Sequence, residues 1–209
     1  MQIIPAILTQ DPAVVKAALD SYRALSRIIH VDVLDDTLVS GRTLAPEFWP
    51  LNSEFRISWH LMVAEPERYL DDCLRHATSE VIVHAELGVG HLESIFRELT
   101  KERVPIGLAI NPATPVQLIA SELQRVQSVQ VMTVEPGRQG GEFLADQLPK
   151  LAELRVRQPN LKLAVDGGIN PTTIHLLAAY RPDRVVVGSF LAPEPQLSEH
   201  WQQLQRALG

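Results

Sequence analysis

Eight short apolar runs, most of them followed by a longer stretch with helical spacing, constrain this 209-residue chain more than any other feature. The runs are QIIPAIL, RIIHVDV, FRISWHL, EVIVHAE, VPIGLAI, VQVMTV, LKLAVDG and DRVVVGS. Strands that are apolar almost throughout are covered on both faces. Their alternation with helical segments implies parallel pairing through helical crossovers. The spacing predicts helices over 11–26, 65–77, 90–102, 114–126, 142–158 and 171–181, with one more at 197–208. Residues 37–53 read as a long loop with a short helix. Eight such units predict an α/β fold, a single (β/α)8 TIM barrel over residues 1–209. A doubly wound open sheet is the alternative, but it usually has fewer strands, and no GxGxxG follows the first run.

Charge and cysteine content narrow the setting. Nineteen Lys and Arg against 25 Asp and Glu give a net charge of −6. That argues against a nucleic-acid partner or an anionic membrane surface. It leaves room for a small phosphorylated substrate, which needs only a local pocket of backbone donors. Cys73 is the sole cysteine, so no disulfide can form within the chain, as suits a reducing cytoplasm. It reads as an ordinary helical residue. The N-terminus lacks a signal-peptide pattern and no run reaches the ~18 apolar residues of a membrane span, so a cytoplasmic protein is expected.

Barrel enzymes carry their chemistry at the C-terminal ends of the strands. Polar residues that close an apolar run are therefore the strongest site candidates. His30 and Asp32 lie two apart, on one face of their strand, while His60 and Asp166 close two other runs. A lone strand-end histidine is usually a satisfied core residue. Two imidazoles and two carboxylates in one barrel instead suit a divalent cation such as Zn2+, Mn2+, Fe2+ or Co2+. Gly167 and Gly168 follow Asp166, and Gly188 and Ser189 follow the eighth run. Loops after strands seven and eight frequently hold phosphate in such barrels, and glycines let backbone N–H groups approach it. Gly137, Gly140 and Gly141, after the sixth run, are candidates for the same cradle or for a plain surface loop. Leu34, Met62 and His84 are expected to line the pocket, with His84 and Glu86 on its floor or behind the ligands. His76, His91, His175 and His200 fall in helical segments and are expected in solvent. Trp49, Trp59 and Trp201 are expected in core or interface.

Several ordered segments now carry a resemblance: HVDVLDD (30–36), HLMVAEPERYLDD (60–72), VIVHAE (81–86), INPATPV (110–116), VMTVEPG (131–137), AVDGGIN (164–170) and VVVGS (185–189). Together they resemble the ribulose-phosphate 3-epimerase family nearly end to end. The resemblance implies a (β/α)8 barrel that interconverts D-ribulose 5-phosphate and D-xylulose 5-phosphate. It implies one divalent metal held by His30, Asp32, His60 and Asp166, with Asp32 and Asp166 doubling as the acid/base pair. It also implies a homo-oligomer. Inverting a carbon beside a ketone needs two such groups, one deprotonated and one protonated.

The chain departs from the family pattern in places. Pro5-Ala6 stands where the family has proline and serine, Leu34 replaces a methionine, and Asp36 replaces a glycine. Ser40-Gly41 stands where Pro-Asn is usual, and residues 136–141 read PGRQGG instead of PGFGGQ. These changes bear on substrate identity and loop geometry more than on metal ligation. Epimerisation of another ketose phosphate, such as a hexulose 6-phosphate, is the second reading. A catalytically inactive sugar-phosphate-binding barrel is the third.

Overall fold

A computed structural model describes residues 1–51, 54–136, 140–192 and 195–208. The strands are β1 Gln2–Ile7, β2 Ile28–Leu34, β3 Arg56–Met62, β4 Thr78–His84, β5 Ile106–Ile110, β6 Ser128–Met132, β7 Lys162–Asp166 and β8 Arg184–Val187. They pair in sequence order as a closed barrel, with β8 parallel to β1. Each apolar run has become a strand.

The α-helices among the described residues are α1 Pro12–Tyr22, α2 Glu67–Leu74, α3 Val89–Lys101, α4 Pro149–Arg157 and α5 Leu197–Leu208. Asp11 starts α1 by accepting the Ala13 N–H at 2.8 Å, with Pro12 in the first turn, where its missing donor costs nothing. The helical reading of 142–158 is shortened for the same reason. Pro149 can enter only at the start of α4, and a 3-10 turn, Ala145–Gln147, precedes it.

Two segments expected to be α-helical are tighter. Within 114–126 only Val116–Ile119 is helical, and within 171–181 only Ile174–Ala179; both are 3-10. Their buried apolar residues are three apart, Val116 with Ile119 and Ile174 with Leu177. That spacing lies on one face of either helix type, so periodicity cannot separate them. The loop after β2 contains the expected short helix as a 3-10 turn, Pro46–Phe48.

Alternation along the strands sorts two interiors. Ile29, Val31 and Val33 of β2, Ile57, Trp59 and Leu61 of β3, and their counterparts on the other strands join the helices in one apolar layer. The opposite faces point into the barrel, where space is limited. A Cβ on Gly107 would lie 2.7 Å from the Ile82 side chain. At the N-terminal end, Glu80 accepts from Ser58 (2.9 Å) and Ser128 (2.8 Å) and is ion-paired with Arg184. Trp49 and Trp59 pack edge to face at 5.6 Å, as expected of core. Of the four histidines expected in solvent, only His175 is exposed. His76 lies against Trp59, His91 meets Glu67, and His200 stacks on Phe190. Among the described residues no helix is long and apolar enough to cross a membrane.

Candidate metal centre

Three strands bring four side chains together. His30 and Asp32 share the inward face of β2, and the register pairs Asp32 with His60 on β3. Asp166 ends β7, three strands away around the barrel. The donors nevertheless converge. Asp32 Oδ1 lies 2.9 Å from His60 Nδ1 and 3.2 Å from His30 Nε2. Asp166 Oδ2 lies 3.6 Å from His60 Nδ1 and 3.7 Å from His30 Nε2. All four donor atoms fall within 4.8 Å of one another.

These distances suit a shared cation. With metal–ligand bonds near 2.1 Å, tetrahedral donors stand about 3.4 Å apart. A second observation agrees: His30 Nε2 is buried, aimed at both carboxylates, and makes no hydrogen bond. An orphaned imidazole nitrogen is costly unless something else takes its lone pair. On the far side of that ring, Ser58 Oγ lies 3.5 Å from His30 Nδ1 while donating to Glu80, so it offers Nδ1 an acceptor. In the neutral tautomer with Nδ1–H toward Ser58, the free lone pair is on Nε2. Two imidazoles and two carboxylates form a donor set that suits several first-row ions.

The two carboxyls differ in proton affinity. Burial pulls Asp32 upward, but the facing imidazoles of His30 and His60 outweigh it and hold the group well below the usual range. Burial, reinforced by the Asp32 charge, pushes Asp166 up to about 7. Burial also lowers His60, which favours the neutral imidazole that a metal needs.

Both carboxylates open onto one cleft. Gly140, Gly141, Gly167, Gly168, Gly188 and Ser189 line the same space, with Ala6 and Met62. Gly137 lies outside the described residues. Gly167 (φ +111°) and Gly168 (φ +68°) adopt conformations that L side chains avoid. A Cβ on Gly167 would sit 2.4 Å from Val134 Cγ2, so the β7 turn and the β6 loop meet there. Leu34 and His84 are not part of this lining. Leu34 is buried beside Met62, its register partner, and His84 stands behind His60. Asp36 turns away as well, accepting from Gly41 N–H and Arg42 at 2.7 Å each.

Sequence reasoning passed over Gln130. Its amide donates to Asp166 Oδ2 at 2.8 Å and lies 3.3 Å from His60 Nδ1. A polar residue in the middle of the apolar run VQVM was its signal. Thr114 and the Asn111 N–H, which both hold Glu86, were also missed.

Known proteins resemble this chain in sequence and in fold. The model of the ribulose-phosphate 3 epimerase family matches residues 2–192. Ribulose-phosphate 3-epimerase of Schizosaccharomyces pombe is 35% identical over 80% of this chain and 77% of its own. The Bacillus subtilis enzyme of that name is 30% identical, with 90% and 91% covered, and the Escherichia coli K12 enzyme 28% identical, with 99% and 96% covered. Among solved structures, 3-hexulose-6-phosphate synthase from Salmonella typhimurium superposes with a TM-score of 0.71 at 16% identity, covering 100% of this chain and 98% of that one. At that identity the likeness concerns the fold alone. The chain belongs to the ribulose-phosphate 3-epimerase family.

Proposed function

We propose that this chain interconverts D-ribulose 5-phosphate and D-xylulose 5-phosphate by moving a proton at C3 between Asp32 and Asp166. The observation that carries the reading is the meeting of two carboxylates from separate strands on one cleft with the glycine turns. Epimerisation beside a ketone removes the C3 proton from one face and returns a proton to the other, so two positioned groups exchange the roles of base and acid. Their unequal proton affinities suit that division.

His30, Asp32, His60 and Asp166 would hold one divalent ion. Such an ion supplies Lewis-acid stabilisation of the negative charge that develops on the substrate oxygens. The turns at Gly167-Gly168 and Gly188-Ser189, with Gly140 and Gly141, would receive the phosphate through backbone N–H groups. The buried free thiol of Cys73 accords with a cytoplasmic setting. Phe48 and Leu51, 65% and 70% exposed, offer apolar surface that a homo-oligomer would cover.

The test combines turnover with label. Metal-loaded protein in D2O should give product carrying deuterium at C3. Asp166→Asn should lose roughly 10²–10⁴-fold in kcat, the usual contribution of a general acid/base. Full activity in that variant would refute the role. Ala6 in the cleft favours a second reading, another ketose phosphate as substrate, because no hydroxyl reaches the substrate from that position. A clear preference for the pentulose 5-phosphates in a substrate panel would end it.

A further inference from the structure

Behind the metal centre runs a chain of hydrogen bonds that the proposed chemistry does not use. His60 turns Nδ1 toward the other ligands and Nε2 toward His84, whose own Nε2 is 2.8 Å away. The two ring planes are within 15° and their centroids 5.0 Å apart. Two ring radii plus the 2.8 Å gap account for that separation, so this is an in-plane N–H···N bond rather than face-to-face stacking. His84 Nδ1 then lies 3.1 Å from Glu86 Oε2. Glu86 Oε1 accepts from the Asn111 N–H at 3.0 Å and from the Thr114 hydroxyl. Lys150 braces the same loop through the Asn111 and Pro112 carbonyls at 3.0 and 2.8 Å.

The direction of these bonds follows from the end that cannot reverse. A backbone N–H only donates, so the Glu86 oxygen facing Asn111 must accept. An ionised carboxylate has no proton to give His84, so His84 Nδ1 carries the proton. His84 Nε2 is then the acceptor, and His60 Nε2–H is the donor. The remaining lone pair of His60 sits on Nδ1, among Asp32, His30 and Asp166. A competitor exists, since Asp32 Oδ1 is 2.9 Å from Nδ1 and would draw a proton there in the absence of a cation.

We propose that Glu86 is a positioning residue that sets the tautomer of His60 through His84, keeping the Nδ1 lone pair available to a cation. The proposal rests on the metal-centre reading above. The donors His84, Thr114 and Asn111 N–H outweigh the upward pull of burial and hold Glu86 at about 2, so it is an obligate acceptor at neutral pH.

Two substitutions separate tautomer control from simple loss of charge. In Glu86→Gln the amide oxygen can satisfy Asn111 N–H or His84 Nδ1–H, never both, and its NH2 group faces a donor or forces His84 to reverse. Reversal places the His84 proton on Nε2, makes His60 Nε2 the acceptor, and puts a proton on the metal-binding Nδ1. Glu86→Ala removes the same charge but imposes no wrong partner, and at 23% side-chain exposure water can reach the position. Zn2+ affinity, measured by competition with a chromophoric chelator, should fall in the order wild type, Glu86→Ala, Glu86→Gln, with the last down about 10–100-fold. ¹⁵N-histidine spectra of the zinc-loaded wild type should show His84 protonated on Nδ1 and bare on Nε2. Equal zinc affinity in Glu86→Gln and wild type, or Glu86→Ala as weak as Glu86→Gln, would overturn the relay and leave the metal centre standing. A wild type that takes up no zinc, manganese or iron would overturn the metal centre and the relay with it.

Discussion

At the scale of single residues the site is a set of donors with assigned partners, and Gln130 shows what one amide does there. It is buried on β6 and gives an N–H to Asp166 Oδ2 at 2.8 Å, on the oxygen that also faces both imidazoles. That bond fixes the carboxylate's rotation and favours its ionised form. Gln130→Leu, similar in size, should keep the fold yet lower kcat by roughly 10–100-fold, the usual cost of losing such support behind a ligand. KM should change little, because Gln130 does not line the cleft. Steady-state kinetics on metal-loaded protein reads this split, and a rise in KM at constant kcat would contradict it. Gln130 also marks a limit of reading sequence. The four candidate ligands were legible because His30 and Asp32 fall two apart on one strand face and His60 and Asp166 close two other apolar runs, where barrel chemistry concentrates. Gln130 sits mid-strand, and only the inward alternation Ser128, Gln130, Met132 shows that it points at the ligands.

At the scale of elements, the turn after β7 and the loop after β6 act as one piece. Gly167 accepts a φ of +111° and leaves no Cβ where Val134 packs. Thr133 ties the pair further, its hydroxyl donating to the Gly167 carbonyl at 2.7 Å. Gly167→Ala therefore meets two obstacles, backbone strain and a 2.4 Å clash with Val134. The strain alone costs about 1–3 kcal/mol. Displacing either loop moves cleft walls by a distance comparable to the ~1 Å that typically costs about 10²-fold in activity. A thermal melt and kcat/KM for the phosphorylated substrate should both fall; wild-type values in both would show that the contact relaxes freely. Elements were largely legible. The strands and most helices follow from period and punctuation, whereas α and 3-10 at 114–126 and 171–181 share an apolar spacing of three. Asp36 illustrates a second limit. Its positive φ of 68° and its bonds to Gly41 and Arg42 turn it from the cleft, which no pattern in HVDVLDD reveals.

Across the whole molecule, closure of the barrel brings together residues that the sequence keeps far apart. Glu80 on β4 and Arg184 on β8 are 104 positions apart, yet they pair inside the N-terminal end of the barrel. Which inward residues meet across a closed sheet depends on strand stagger, and that is why this pair was invisible in the sequence while the barrel itself was not. Burial would raise the Glu80 carboxyl, but the charge of Arg184 and the donors Arg184, Ser128 and Ser58 outweigh it and keep it ionised. Arg184 side-chain exposure is 13% and that of Glu80 is 5%, so removing one partner strands a charge rather than exposing it to water. Arg184→Met should cost about 3–5 kcal/mol. At about 2–4 °C per kcal/mol for a domain of this size, Tm should fall by about 6–20 °C. Adding Glu80→Met should recover most of that loss, since an apolar pair of similar volume is often neutral where a buried ion pair stood. Calorimetry on the two single variants and the double variant closes the cycle. If the double variant were no more stable than Arg184→Met, the stranded charge would not be the cause, and the barrel base would depend on the pair's own attraction.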